Sequence, residues 1–216
     1  MSNNSTATML VLSPGAYGMN SDTHLALCDI QMFAHIPNLI YLAPSTKSEY
    51  KNMLKFATTQ KNHPVGIRVP AEFSKIDTCD NTDYTIYNKN KIVLNGNTVA
   101  IFAIGKMMDM ALDIAKKVKQ EKNLDITVIN PLFLTGLDET LLNDLKKNHK
   151  LVITLEDGEL MGGYGQNISS FYGTSDILVK NFGISKKFHT DFTAEDLLKE
   201  NGMSVENISN IIENML

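Results

Sequence analysis

Two cysteines, Cys28 and Cys79, are too few for a disulfide framework, and neither sits in a recognisable Cys/His motif. Positive charge is not in excess either. Twenty Lys and Arg stand against 24 Asp and Glu, for a formal net charge of -4 and a pI near 5.7. The lysines are interspersed with acids, so no basic patch invites nucleic acid or an anionic membrane as partner. No apolar run approaches the ~20 residues that span a bilayer. The opening Met1-Ser2-Asn3-Asn4-Ser5-Thr6 lacks the basic and apolar regions of a signal peptide, and a cytoplasmic protein is the expectation. There is no internal repeat, no low-complexity tract, and no nucleophile elbow, Walker loop or zinc motif. His189 and Asp191 are neighbours, but no third ligand has metal spacing, so no metal site is expected.

What is present is an ordinary globular composition, 43% apolar and 20% charged, arranged as an α/β alternation. Thr8 to Ser13 is a short apolar run stopped by Pro14-Gly15, which reads as a buried strand. A helix is predicted from Ser21 or Asp22, both good N-caps, with Leu25, Cys28, Met32 and Ile36 on one core-facing stripe. Pro37 ends it, and His35 then falls in its last turn. Leu39 to Leu42 is the next strand. Thr46-Lys47-Ser48-Glu49 has the form of a capping box, ahead of a helical face of Tyr50, Met53, Leu54 and Ala57. Val65 to Val69 completes β-α-β-α-β, the pattern of a parallel sheet.

From about Phe73 to Asn97 the chain is polar and rich in turn formers, and reads as an interdomain connection with one short strand around Tyr84 to Tyr87. The alternation then restarts. Thr98 to Ile104 and Ile126 to Ile129 read as strands, with a helix between them marked by Met107, Met110, Ala111, Ile114 and Val118. Leu137, Leu141, Leu142 and Leu145 mark another helix, led by Asp138 and Glu139. Leu151 to Leu155 and Ile177 to Val179 are further strands, and Ser204 caps a last helix carrying Ile208, Ile211, Ile212 and Leu216. The division expected is residues 1–75, a connection over 76–97, and a second domain over 98–216.

His24 is the sharpest catalytic candidate. It would sit in the first turn of a helix that follows a strand and a glycine-containing loop, where ligands gather, and an imidazole there can move a proton near neutral pH. The plainer reading is a histidine satisfied by local backbone. Arg68 admits two readings: an anion-binding residue, or an ion pair at the surface or between domains. Glu156-Asp157 followed by Met161-Gly162-Gly163-Tyr164-Gly165 could cradle a phosphate, or be a structural turn between strand and helix. His63 and His149 fall in polar, exposed surroundings.

Taken in order, Gly18 to His24, Pro37-Asn38, Ala43-Pro44-Ser45, Gly66-Ile67-Arg68-Val69-Pro70 and Met161-Gly162-Gly163 resemble the C-terminal part of the 1-deoxy-D-xylulose-5-phosphate synthases, in the transketolase group. The resemblance implies the C-terminal half of a pyrimidine-binding domain followed by a transketolase-type C-terminal α/β domain. It implies a transferase of isoprenoid biosynthesis that uses thiamine diphosphate and magnesium to condense pyruvate with glyceraldehyde 3-phosphate. It also places His24 against substrate as the catalytic histidine, with Asn20, Thr23 and Arg68 as substrate-binding residues.

Three family positions differ. Asn20-Ser21 replaces an Asp-Gly pair, Ala71 replaces a second arginine, and Ser13 stands where another arginine is found. Arginines in these segments hold the substrate phosphate in the family, and each charge-assisted contact contributes on the order of 1.5–3 kcal/mol. The diphosphate and metal ligands, and the glutamate that activates the cofactor, lie upstream of this segment in the family. No Gly-Asp-Gly motif occurs in the chain. The expectation is a fragment or split subunit that binds no cofactor alone and pairs with itself or with an N-terminal partner chain. The alternatives are a non-catalytic module for association or regulation, and an unrelated nucleotide-binding protein using the Gly162 to Gly165 loop.

Overall fold

The computed structural model of the protein describes residues 5–19, 21, 23–76 and 79–216. Two sheets organise the chain. The first holds three parallel strands, β1 (Thr8–Leu12), β2 (Ile40–Leu42) and β3 (Val65–Val69), in the order β1-β3-β2. Registers of Thr8 on Val65 and Ile40 on Val65 place β3 in the middle, and both β2 and β3 are buried. β1 lies at the edge with Leu10 and Leu12 exposed, so the buried strand expected from its apolar run is corrected to an open edge.

Helix α2 (Lys47–Thr59) covers this sheet. The Thr46 hydroxyl accepts the Glu49 amide while the Glu49 carboxylate reaches back to the Thr46 amide, a complete capping box. Met53, Phe56 and Ala57 then pack onto Val65 and Ile67.

The second sheet has five strands in the order β4-β6-β5-β7-β8: β4 (Lys91–Leu94), β5 (Thr98–Ala103), β6 (Thr127–Asn130), β7 (His149–Glu159) and β8 (Leu178–Ile184). All pairs are parallel except β4 with β6. Tyr84 to Tyr87 forms turns rather than a strand, and the strand of this connecting region is β4 instead. Alternating exposure along β4 suits an edge position.

Helices α3 (Met107–Lys122), α4 (Glu139–Leu145), α5 (Tyr164–Tyr172), α6 (Ala194–Glu200) and α7 (Val205–Met215) cover the sheet. Asp138 caps α4 and Ser204 caps α7 through side-chain oxygens. α6 was not anticipated, although Thr193 caps it by accepting the Asp196 amide.

One helix departs from expectation. α1 spans only Asp29–Phe33, and Ser21 and Thr23 to Cys28 are bend, turn and irregular loop. The amide of Gly15 bonds the carbonyl of Ala26, and the amide of Glu159 bonds that of Leu27, which holds this segment off the helical path. Cys28 and Met32 are consequently exposed rather than on a core stripe, and His35 lies beyond the helix.

The two sheets are joined directly. Amides of Ala43 and Leu134 bond the carbonyls of Leu132 and Tyr41, and Leu42 bridges Phe133. The amide of Ala16 bonds the carbonyl of Asp157. No helix among the described residues is long and apolar enough to cross a membrane.

Candidate functional site

The loop after β1 carries the sequence candidates. The carbonyl of Ser21 accepts the amides of His24 and Leu25, closing a turn that leaves His24 exposed. Its Nδ1 lies 2.8 Å from Thr23 Oγ1, which is 3.2 Å from Ser21 Oγ. His24 is thus on a surface turn five residues ahead of α1, not in the first turn of a helix. The local arrangement is a Ser-Thr-His cluster open to solvent. Asn20, and the cap candidate Asp22, lie outside the described residues.

Arg68 is elsewhere. It is the central residue of a buried charge network between the two sheets, 2% exposed. Its Nε donates to Asp29 Oδ2 at 2.8 Å, its Nη2 to Asp29 Oδ1 at 3.2 Å and its Nη1 to Asp157 Oδ1 at 2.7 Å. Asp29 comes from the start of α1 and Asp157 from β7, so one guanidinium ties the first sheet to the second. The Tyr41 hydroxyl donates to Asp29 Oδ2 at 2.6 Å. Burial and the Asp29 carboxylate hold that phenol protonated well above its ordinary range.

The two carboxylates hold Arg68 charged despite complete burial. Burial raises the carboxyl of Asp157, against the pull of Arg68. A Cβ on Gly15, whose φ of +86° already requires glycine, would fall onto the Asp157 carboxylate. Arg68 therefore forms an ion pair between the two sheets, with three of its five N–H donors on these buried carboxylates. Ala71, where the family carries its second arginine, is exposed.

Glu156 is buried on β7, beyond the point where the sequence suggested that the strand stops. Its Oε2 accepts the amide of Tyr164 at 2.8 Å and its Oε1 the amide of Gly165 at 2.7 Å, both at the start of α5. Burial pushes its carboxyl up to about 7, while the two amides and the Arg68 charge pull the other way. A side chain on Gly163 would strike this carboxylate. The amides that might have cradled a phosphate are occupied from inside the protein, so the glycine segment is a structural turn. Sequence inspection missed Asp29, which fell in the middle of the helix expected from Ser21 or Asp22 and carried no signal of its own.

The remaining histidines serve the fold. His63 and His149 are half-buried rather than exposed, with Nδ1 of His63 2.6 Å from Asn38 Oδ1 and Nε2 of His149 2.8 Å from Thr127 Oγ1. His189 is buried beside the carbonyl of Ser185.

The transketolase pyrimidine-binding domain family matches residues 2–73, and the transketolase C-terminal domain family matches residues 88–208. The chain belongs to the transketolase family. It is 33% identical to the 1-deoxy-D-xylulose-5-phosphate synthase of Alkaliphilus oremlandii over 204 residues, 93% of this chain and 32% of that protein. With the same enzyme of Clostridium perfringens it shares 31% over 221 residues, 97% of this chain and 34% of that protein. The chain thus spans about a third of the length of the curated relatives that it matches.

Among solved structures it resembles a chain described as a split-gene transketolase, inactive β4 tetramer, with a TM-score of 0.83 and 20% identity over 97% of this chain and 66% of that one. A transketolase mutant from Pichia stipitis gives 0.72 and 13%, over 98% of this chain and 30% of that one. These likenesses carry the fold: an α/β chain with part of a pyrimidine-binding domain ahead of a transketolase-type C-terminal domain.

The family depends on thiamine diphosphate, and the residues described here do not fit that group. Asp29 and Asp157 are engaged by Arg68, Glu156 by two backbone amides, and Glu49 by its capping box and Lys91. No buried carboxylate is left free to meet an aminopyrimidine, and no cluster of three His, Cys, Asp or Glu that could hold a metal ion occurs among the described residues.

Proposed function

We propose that this chain is the C-terminal portion of an enzyme of the 1-deoxy-D-xylulose-5-phosphate synthase type. That enzyme condenses pyruvate with glyceraldehyde 3-phosphate on thiamine diphosphate, and this portion works only beside a companion polypeptide carrying the N-terminal part. The observation that carries the proposal is the open edge of β1. This five-residue strand, Thr-Met-Leu-Val-Leu, has no charge and no proline, and Leu12 is 68% exposed. Parallel sheets are normally covered on both faces and do not leave such an edge free. The split-gene transketolase, a tetramer of one chain type described as inactive, is a precedent for dividing this fold between chains.

In the assembled enzyme His24 and Thr23 would face the substrate across the interface, where an exposed imidazole held by a neighbouring hydroxyl can exchange a proton. The test is to combine this chain with the N-terminal two thirds of the Alkaliphilus oremlandii enzyme and follow the condensation product. Turnover by the mixture and by neither chain alone supports the proposal. A stable complex without turnover overturns it in favour of a second reading, a non-catalytic association module. That reading is favoured by Arg68, whose Nε, Nη1 and Nη2 each already donate to a buried carboxylate, together with Ser13 and Ala71 at two family arginine positions. Either reading places the protein in an oligomer, with itself or with a partner chain.

A further inference from the structure

A cavity of about 220 Å³ lies between the start of α2, strand β4 and the end of β6, with Cys79 and Ile92 at its exposed rim. Two of its polar side chains are almost completely buried and lack partners among the described residues: Ser45 Oγ and Asn130 Oδ1, on residues each 1% exposed. Groups buried without partners cost free energy unless something in the cavity satisfies them. A third group, Lys91 Nζ, sits 3.0 Å from Glu49 Oε1 and 3.6 Å from Asp80 Oδ1 and has a proton to spare. The rest of the wall is largely apolar, from Ile92, Val93 and Met108.

Water alone suits this space poorly. At roughly 30 Å³ each, about seven waters would fit, but those against the side chains of Ile92, Val93 and Met108 meet no polar group there. A molecule with a carbon skeleton and several hydroxyls uses both kinds of wall. Its carbons lie on Ile92 and Met108, one hydroxyl donates to Asn130 Oδ1, and others accept from Lys91 and exchange with Ser45.

Charge decides the class further. Glu49 and Asp80 together outweigh Lys91 by one negative charge, so a phosphate or carboxylate is repelled. The ammonium already occupies the place between the two carboxylates, leaving no call for a second cation. We propose that this cavity binds a small neutral polyol, held by Ser45, Asn130 and Lys91 between the two domains. The site is separate from His24 and from the Arg68 network, and does not depend on the enzyme reading given above.

Titrating the 216-residue chain with glycerol and with threitol, and following the side-chain amide resonance of Asn130, tests this. The expected result is a saturable shift with a dissociation constant in the millimolar range. It should weaken roughly five- to tenfold in Ser45→Ala, the loss of one neutral hydrogen bond. It should vanish in Ile92→Trp, which fills the cavity from its exposed rim, with far-UV circular dichroism unchanged to show that the fold survives. No saturation with either polyol overturns the proposal, as does tighter saturation by inorganic phosphate or an affinity unaltered in Ser45→Ala.

Discussion

A guanidinium removed from water is tolerable only where its charge and its donors are met, and Arg68 is met by Asp29 and Asp157 at 2.7 to 3.2 Å. Removing it strands two buried carboxylates with no counter-ion. Arg68→Met should therefore lower unfolding stability by roughly 3–5 kcal/mol in urea titration, although methionine fits the space. Arg68→Lys should fall between the two, because one ammonium cannot span both carboxylates as the planar fork does. A loss under about 1 kcal/mol in Arg68→Met would mean that the network contributes little.

Glu156 makes a different prediction. A carboxyl raised from 4.5 to about 7 holds its proton more tightly folded than unfolded. Its contribution is therefore fully present below pH 4.5 and is lost as pH rises through about 7, on the order of 3 kcal/mol over that window. Asp157, also raised, acts with the same sign. Glu156→Gln cannot titrate, so the stability difference between wild type and variant should change across pH 4.5 to 7 and level off above it. A difference that stays constant over the range would place the Glu156 titration elsewhere.

Among the elements, those set by local chemistry were legible in the sequence. The capping box of α2 and the Ser204 cap of α7 follow from local residue types, and strands β2, β3, β5 and β6 from short apolar runs closed by Pro or Gly. Elements decided at long range were not. Leu25, Cys28, Met32 and Ile36 have helical spacing, yet backbone bonds from Gly15 and Glu159 to Ala26 and Leu27 keep the chain off the helical path until Asp29. Glu156 and Asp157 looked like a strand end, but their partners are an arginine 89 residues from Asp157 and amides of α5. Thr23 and His24 fell together because they are adjacent, whereas the partners of Arg68 had no local signal.

β1 was recognised as a strand and misjudged as buried, since an apolar edge and an apolar centre read alike. Its edge carries its own prediction. The wild-type chain should sediment as a species heavier than the 24.0 kDa monomer at micromolar concentration. Leu12→Lys, placing a charge on the open edge, should shift it towards monomer with unchanged circular dichroism. A monomeric wild type would remove β1 as a self-association edge.

For the whole molecule the question is what a chain spanning a third of the length of its curated relatives can do alone. Its two sheets are tied by backbone bonds at Ala43 and Leu134 and by the Arg68 network, so the junction between them is a structural seam rather than an open catalytic cleft. Thiamine diphosphate needs a metal for its diphosphate and a carboxylate for its aminopyrimidine. The buried acids of this chain are committed to Arg68, to Lys91 and to backbone amides. Freeing Asp29, Asp157 or Glu49 would break contacts that cross the seam, and freeing Glu156 would uncap the start of α5. His24 remains available on its turn, but a surface imidazole without an activated cofactor has no carbanion to serve. The purified chain should therefore neither bind thiamine diphosphate tightly nor turn over pyruvate. Isothermal titration with the cofactor and magnesium should give no resolvable heat of binding. A micromolar dissociation constant, about -8 kcal/mol, would overturn this, since binding of that strength requires diphosphate and pyrimidine contacts that the folded seam does not offer.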